Sequence, residues 1–98
     1  MENVNLQKLE SNNLASIVND INNGQSTKAL ITIEKLIKKF PNQALLFNLK
    51  GACYESIKEL EKSIESFTKA TEIHPQYAEA FYNLGAVSYT HLTLPTKA

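Results

Sequence analysis

Two stretches of this chain carry the same pattern thirty-four residues apart. Phe47 and Gly51 return as Phe81 and Gly85, and Pro41 returns as Pro75. Ala29 returns as the equally small Ser63. A fixed period of this length calls for a repeating helical hairpin, because one hairpin cannot bury its own apolar face and successive copies must stack to do so. The period therefore predicts an all-α chain built as a solenoid. It also narrows function, since stacked hairpins present surfaces for binding and rarely build a catalyst.

The middle repeat is the clearest. Residues 44–57 read as a helix, with Ala44, Phe47, Gly51 and Tyr54 on one stripe of a 3.6-residue period. Gly51 inside that helix costs about 1 kcal/mol relative to Ala, which predicts a neighbouring helix packed closely upon it. Residues 58–60 form a turn. A second helix runs to about His74, with Leu60, Ile64, Phe67 and Thr71 on one stripe and the small Ser63 and Ala70 beside it. Pro75 stops it. The repeat before it is well formed in its second half. Asn22-Asn23-Gly24 signals a turn, Ser26 or Thr27 is expected to cap the next helix, and Ala29, Ile33, Leu36 and Ile37 make an apolar face closed by Pro41. Lys35, Lys38 and Lys39 crowd its last turn, where cations suit the helix dipole. The first half is degenerate: Ile17 stands where Gly51 would be and Asp20 where Tyr54 would be, although Leu14, Ile17, Val18 and Ile21 still make an amphipathic helix. The organisation predicted is a lead-in over 1–9, a degenerate repeat over 10–43, a full repeat over 44–77 and the start of a third over 78–86.

The pattern then fails. Ser88 stands where Tyr54 predicts a large residue, Lys97 where a small one is expected, and Pro95 where a second helix should begin. The string from Val87 to Thr96, VSYTHLTLPT, resembles the in-frame translation of a transposon-derived sequencing adapter. On that reading 87–98 is a non-native tail and the chain is a fragment of a longer protein.

Composition excludes more than it selects. The formal net charge is zero, so bulk charge favours neither nucleic acid nor an anionic membrane. All ten basic residues are Lys, which counts against bidentate recognition of phosphate or carboxylate. Ten Lys, ten Asn and eight Ile with no Arg also fit an AT-rich genome. A single Cys rules out an internal disulfide. No apolar run approaches the roughly 18 residues of a membrane span. The N-terminal MENVNLQKLE lacks a basic segment followed by an apolar one, so the expected location is the cytoplasm.

No residue set promises chemistry. Cys53 has no His at catalytic spacing and reads as a packing thiol. His74 sits at a helix end beside Pro75, and His91 lies in the tail. Two His and one Cys do not make a zinc site. The three Gly stand alone, so no phosphate loop is present. Glu59 and Glu61 open a helix, where the dipole favours acids, rather than facing each other across a cleft. No cofactor or metal is expected.

Phe47, Gly51, Tyr54, Ser63, Phe67, Ala70 and Pro75 together resemble the signature of the tetratricopeptide repeat, a family of 34-residue helical hairpins. Ser63 replaces the usual Ala, and Lys50 stands where Leu is usual. The first repeat keeps Gly24, Ala29 and Pro41, and the third keeps Phe81, Leu84 and Gly85. The resemblance implies a right-handed superhelix of about two and a half repeats, whose first helices line a groove for a protein or an extended peptide. Position by position, that groove would present Leu45, Asn48, Leu49, Ala52 and Glu55, then Glu79, Tyr82, Asn83 and Ala86, and in the first repeat Ser11, Leu14, Ala15 and Val18. Asn48 and Asn83 each carry a donor and an acceptor for a peptide backbone. The face has no cation, and Glu55 and Glu79 would repel a carboxylate, which argues against a clamp for a C-terminus. Such repeats also occur as arms of larger enzymes such as glycosyltransferases or sulfotransferases, the alternative reading of a fragment.

Phe67, Tyr54, Phe47 and Phe81 are expected to supply much of the net stability. The helix from Ala78 should leave an apolar face uncovered, through which the chain would self-associate or fray.

Overall fold

The computed structural model describes residues 11–93 and the side chains of residues 13–92. The lead-in over 1–9, the Ser11 side chain, Pro95 and Lys97 lie outside the described residues. Among the described residues there are five helices and no strand: α1 Ser11–Asn22, α2 Ser26–Lys39, α3 Ala44–Ser56, α4 Leu60–Ile73 and α5 Ala78–Thr93. Each helix packs on the next, and α1 also meets α3. Helices of this length are marginal alone in water and draw their stability from such packing. The chain is an all-α array of hairpins.

The period is written into the backbone hydrogen bonds. In the α1–α2 turn, Gly24 N donates to Ile21 O at 3.1 Å and Gln25 N to Asp20 O at 2.7 Å. In the α3–α4 turn, Lys58 N donates to Glu55 O at 3.0 Å and Glu59 N to Tyr54 O at 2.9 Å. Every partner in the second set stands thirty-four residues after its counterpart. Gly24 and Lys58 share the left-handed conformation that this turn requires, at φ 76° and 67°. Gly adopts it freely and Lys at a cost. The degenerate repeat is thus built to the same backbone plan as the full one.

The expected cap at Ser26 or Thr27 is not made. Gln25 takes the N-cap position with no side-chain bond, and Ser26 is the first helical residue. The Ser26 hydroxyl is buried and pairs with the Ser56 hydroxyl, which donates onward to Cys53 O at 2.8 Å. The turn fixes where α2 starts, and the contact across to α3 claims the side chain. Glu59, the counterpart of Gln25, is likewise an N-cap without a side-chain bond.

Three apolar clusters run along the array. Ile17, Ala29, Ile33, Leu36, Leu46 and Cys53 join α1, α2 and α3. Ala44, Ala70 and Ala80 bring α3, α4 and α5 close, with Phe47, Ile73 and Tyr77 packed around them. Leu60, Phe67 and Val87 join α4 to α5. Phe67 is the largest fully buried side chain. A Cβ on Gly51 would stand 2.6 Å from two carbons of its ring, a separation that real Cβ atoms do not show. Beside it the buried Ser63 hydroxyl donates to Gly51 O at 2.8 Å, so the departure from Ala gains a hydrogen bond rather than stranding a polar group. Lys50, in place of the usual Leu, reaches Glu34 on α2 at 2.8 Å and lies over the Phe47 ring at 5.8 Å from its centre.

Two expectations about α5 part company. Its outer face is uncovered, as the truncated pattern predicts: Phe81 is 47% exposed, and a Cβ on Gly85 would meet nothing within 4 Å. Phe81 therefore does not supply the buried area expected of it, because no helix packs over that face among the described residues. Phe47 and Tyr54 are also only half-buried. The helix does not stop at residue 86 where the pattern fails. It runs to Thr93, and Val87 is fully buried.

Candidate functional site

The helices that open each repeat stand side by side. α1 touches α3, and α3 is tied to α5 by Asn83 Nδ2, which donates to Asn48 Oδ1 at 3.1 Å. Ala44 and Ala80 are small enough to bring α3 and α5 near each other around Ala70. The face expected to bind ligand lies along these helices. Leu45, Leu49, Ala52 and Glu55 on α3 are half-buried, and Leu49 also packs on the first apolar cluster. Glu79 and Ala86 on α5 are exposed, Asn83 is half-buried, and Tyr82 is 76% exposed. On α1, Ala15 and Val18 are exposed and Leu14 is half-buried.

Asn48 is placed differently from its neighbours. It is only 4% exposed. Its carbonyl oxygen accepts from Asn83, and its side chain lies near enough to the Tyr77 hydroxyl to pull that group's pKa down. The amide joins α3 to α5, and Asn83 is held at the surface by it. The Tyr77 hydroxyl nonetheless has its pKa raised, first by burial and then by the Glu79 carboxylate.

Tyr77 also marks a feature that the sequence reading did not find. A cleft of about 360 Å³ opens where the α2–α3 and α4–α5 connections meet, lined by Asn42, Gln43, Ala44, Leu45, Ile73, His74 and Tyr77. The His74 and Tyr77 rings pack 5.6 Å apart. Leu45 belongs to both the cleft and the face, so the two are continuous. Four of its lining residues, Asn42, Gln43, His74 and Tyr77, come from the connections, where the helical period carries no information, and Ala44, Leu45 and Ile73 come from the adjoining helix ends. By contrast, the buried pairs Leu46 with Ala80 and Cys53 with Val87 are each separated by the repeat length. The same self-comparison that paired Phe47 with Phe81 would have paired them.

Burial raises the Cys53 thiol to about 11, which keeps it protonated and unreactive at neutral pH. Among the described residues no three His, Cys, Asp or Glu side chains converge as a metal site would need. No described helix is long and apolar enough to cross a membrane. Every buried polar side-chain atom among the described residues has a partner.

Comparison with known proteins agrees with this geometry. No curated protein matches the chain. A family model described as TPR repeat matches residues 54–91, which takes in the end of α3, all of α4 and most of α5. Over that span the chain carries the likeness of a tetratricopeptide repeat.

Proposed function

We propose that the chain is a non-catalytic scaffold that binds a protein segment in extended form along the face shared by α1, α3 and α5. The observation that carries this reading is the alignment of the opening helices. α3 and α5 are tied through Asn48 and Asn83, and the three helices leave a strip that mixes half-buried and exposed side chains, apolar and polar. The TPR-repeat likeness over 54–91 supports it, because such repeats generally mediate contacts between proteins. Tyr82 is the natural anchor, a large amphipathic ring standing free of the core. Leu45, Leu49 and Ala52 supply apolar contact, and Asn83 offers its remaining donor and its acceptor to a peptide backbone. Glu55 and Glu79 are the charged groups of this face, so the preferred segment is uncharged or basic rather than one ending in a free carboxylate.

Selection from a displayed library of random linear peptides, followed by titration of the selected peptide, tests the reading. Tyr82→Ala is expected to weaken binding by about tenfold, and amide shifts are expected along α3 and α5. A peptide whose affinity ignores Tyr82→Ala and Leu49→Ala, and whose shifts map elsewhere, overturns it.

A further inference from the structure

The cleft where the two connections meet has an apolar floor and a polar rim. Ala44 is buried, and Leu45, Ile73 and the Tyr77 ring are half-buried, so the bottom offers carbon surface. Asn42, Gln43 and His74 stand exposed around it. Among the described residues that line it there is no Lys, Asp or Glu. A charged group seated there would lose water without gaining a partner. The Glu79 carboxylate acts on the Tyr77 hydroxyl from outside the lining, which turns away an acid in particular.

Both walls are fixed by their backbones. Leu46 N donates to Gln43 O at 3.1 Å where α3 begins. Opposite, Tyr77 N donates to His74 O at 3.0 Å, and Tyr77 O accepts from Ala80 N at 3.1 Å and from Phe81 N at 3.2 Å. A cleft of set shape costs little ordering when it is filled. Gln43 takes the N-cap position of α3 without a side-chain bond, so its amide is not spent on the cap. The His74 and Tyr77 rings lie 5.6 Å apart and are tilted by 35°. Aromatic rings favour centroid separations of about 4.5–7 Å and gain from such contact beyond the area they bury. At about 360 Å³ the cleft stands at the small end of ligand sites, which suits one ring rather than a larger ligand. A ring with a polar atom at its edge matches a carbon floor beneath a polar rim. The ring lies inward, and its hydroxyl or indole N–H donates to an amide oxygen of Asn42 or Gln43.

We propose that this cleft is the specificity pocket of the peptide-binding face and takes a tyrosine or tryptophan side chain of the bound segment, its ring against His74 and Tyr77. The proposal rests on the reading of α1, α3 and α5 as a peptide-binding face, which Leu45 joins to the cleft.

Two measurements test it on the whole chain. N-acetyltryptophanamide supplies the indole without a peptide. Its titration is expected to shift amides within 42–45 and 73–77, and less so in His74→Ala. Shifts that map elsewhere, or none, overturn the pocket. The second measurement is a double-mutant cycle on a peptide selected against the chain. Replacing its Tyr or Trp by Ala should weaken binding about tenfold to the wild-type chain and about twofold or less to His74→Ala. His74 is exposed, so this variant should keep the wild-type helical circular dichroism. Selected peptides without a Tyr or Trp, or equal losses on the two proteins, overturn the proposal. A peptide that instead requires Lys at that position assigns the cleft to a cation and overturns it as well. Peptide binding that ignores Tyr82→Ala and Leu49→Ala defeats the reading of the face while indole shifts at the cleft persist, so the two fail separately.

Discussion

One position of the repeat is filled in three ways along this molecule. In α3 it is Gly51, closed over by the Phe67 ring. In α1 it is Ile17, and Ile33 stands where Phe67 would be; both are fully buried in one cluster. In α5 it is Gly85, and among the described residues nothing covers it. The first two settings divide similar space differently, a small residue with a large one or two of middle size, as volume-conserving core exchanges allow. The third has the same residue type as the first and none of its packing. A residue's role in a repeat is therefore set by whether the next helix is there to meet it.

This comparison can be broken or sharpened by substitution, on protein dilute enough to be monomeric. The largest effect is expected from Phe67→Ala, at about 3–5 kcal/mol through the cavity it leaves, which should unfold the α3–α4 hairpin. Phe81→Ala should cost about 1 kcal/mol or less, since half the ring already faces water. Thermal melts of the two variants decide the matter, and equal midpoints would remove the distinction between a covered and an uncovered helix. Gly51→Ala comes next. Its methyl meets a ring that is fixed on all sides, so a loss of about 1–3 kcal/mol is expected. Gly85→Ala should instead gain up to about 1 kcal/mol of helix propensity. Opposite signs in urea titrations would sharpen the contrast. Lys58→Gly should raise the melting temperature slightly, by relieving a left-handed backbone worth about 1–2 kcal/mol less what Gly adds to the entropy of the unfolded chain. The smallest effect is on Cys53. Its thiol rises from 9.0 to about 11 on folding, so the folded state holds its proton where the unfolded state has lost it. The stability this costs is absent below pH 9 and grows as pH rises toward 11. A thiol reagent at about pH 8, near the ordinary thiol range, should label the unfolded chain promptly and the folded chain slowly. The alkaline fall in melting temperature should be shallower in Cys53→Ala.

The helical class, the hairpin period and the packing of Gly51, Ser63, Phe67 and Ala70 were legible because each rests on spacing. The uncovered face of α5 was legible for the same reason, from a pattern that starts and does not finish. The burial of Asn48 was not. Its position in the repeat marks it as part of the binding face, and only the arrival of Asn83 from α5 turns its amide inward. The cap at Ser26 was misplaced for a related cause, since a local preference lost to a partner thirty residues away.

Local periodicity by itself determined that this chain makes helices, where they turn and which residues are small enough to be crossed. Those properties depend on backbone sterics and on side-chain volume, which travel with the sequence. Only the tertiary structure decided which of those residues are covered, which polar groups are spent inside and which apolar face of α5 is left to water. Burial is a property of pairs of helices, and one copy of a pattern does not say whether its partner is present.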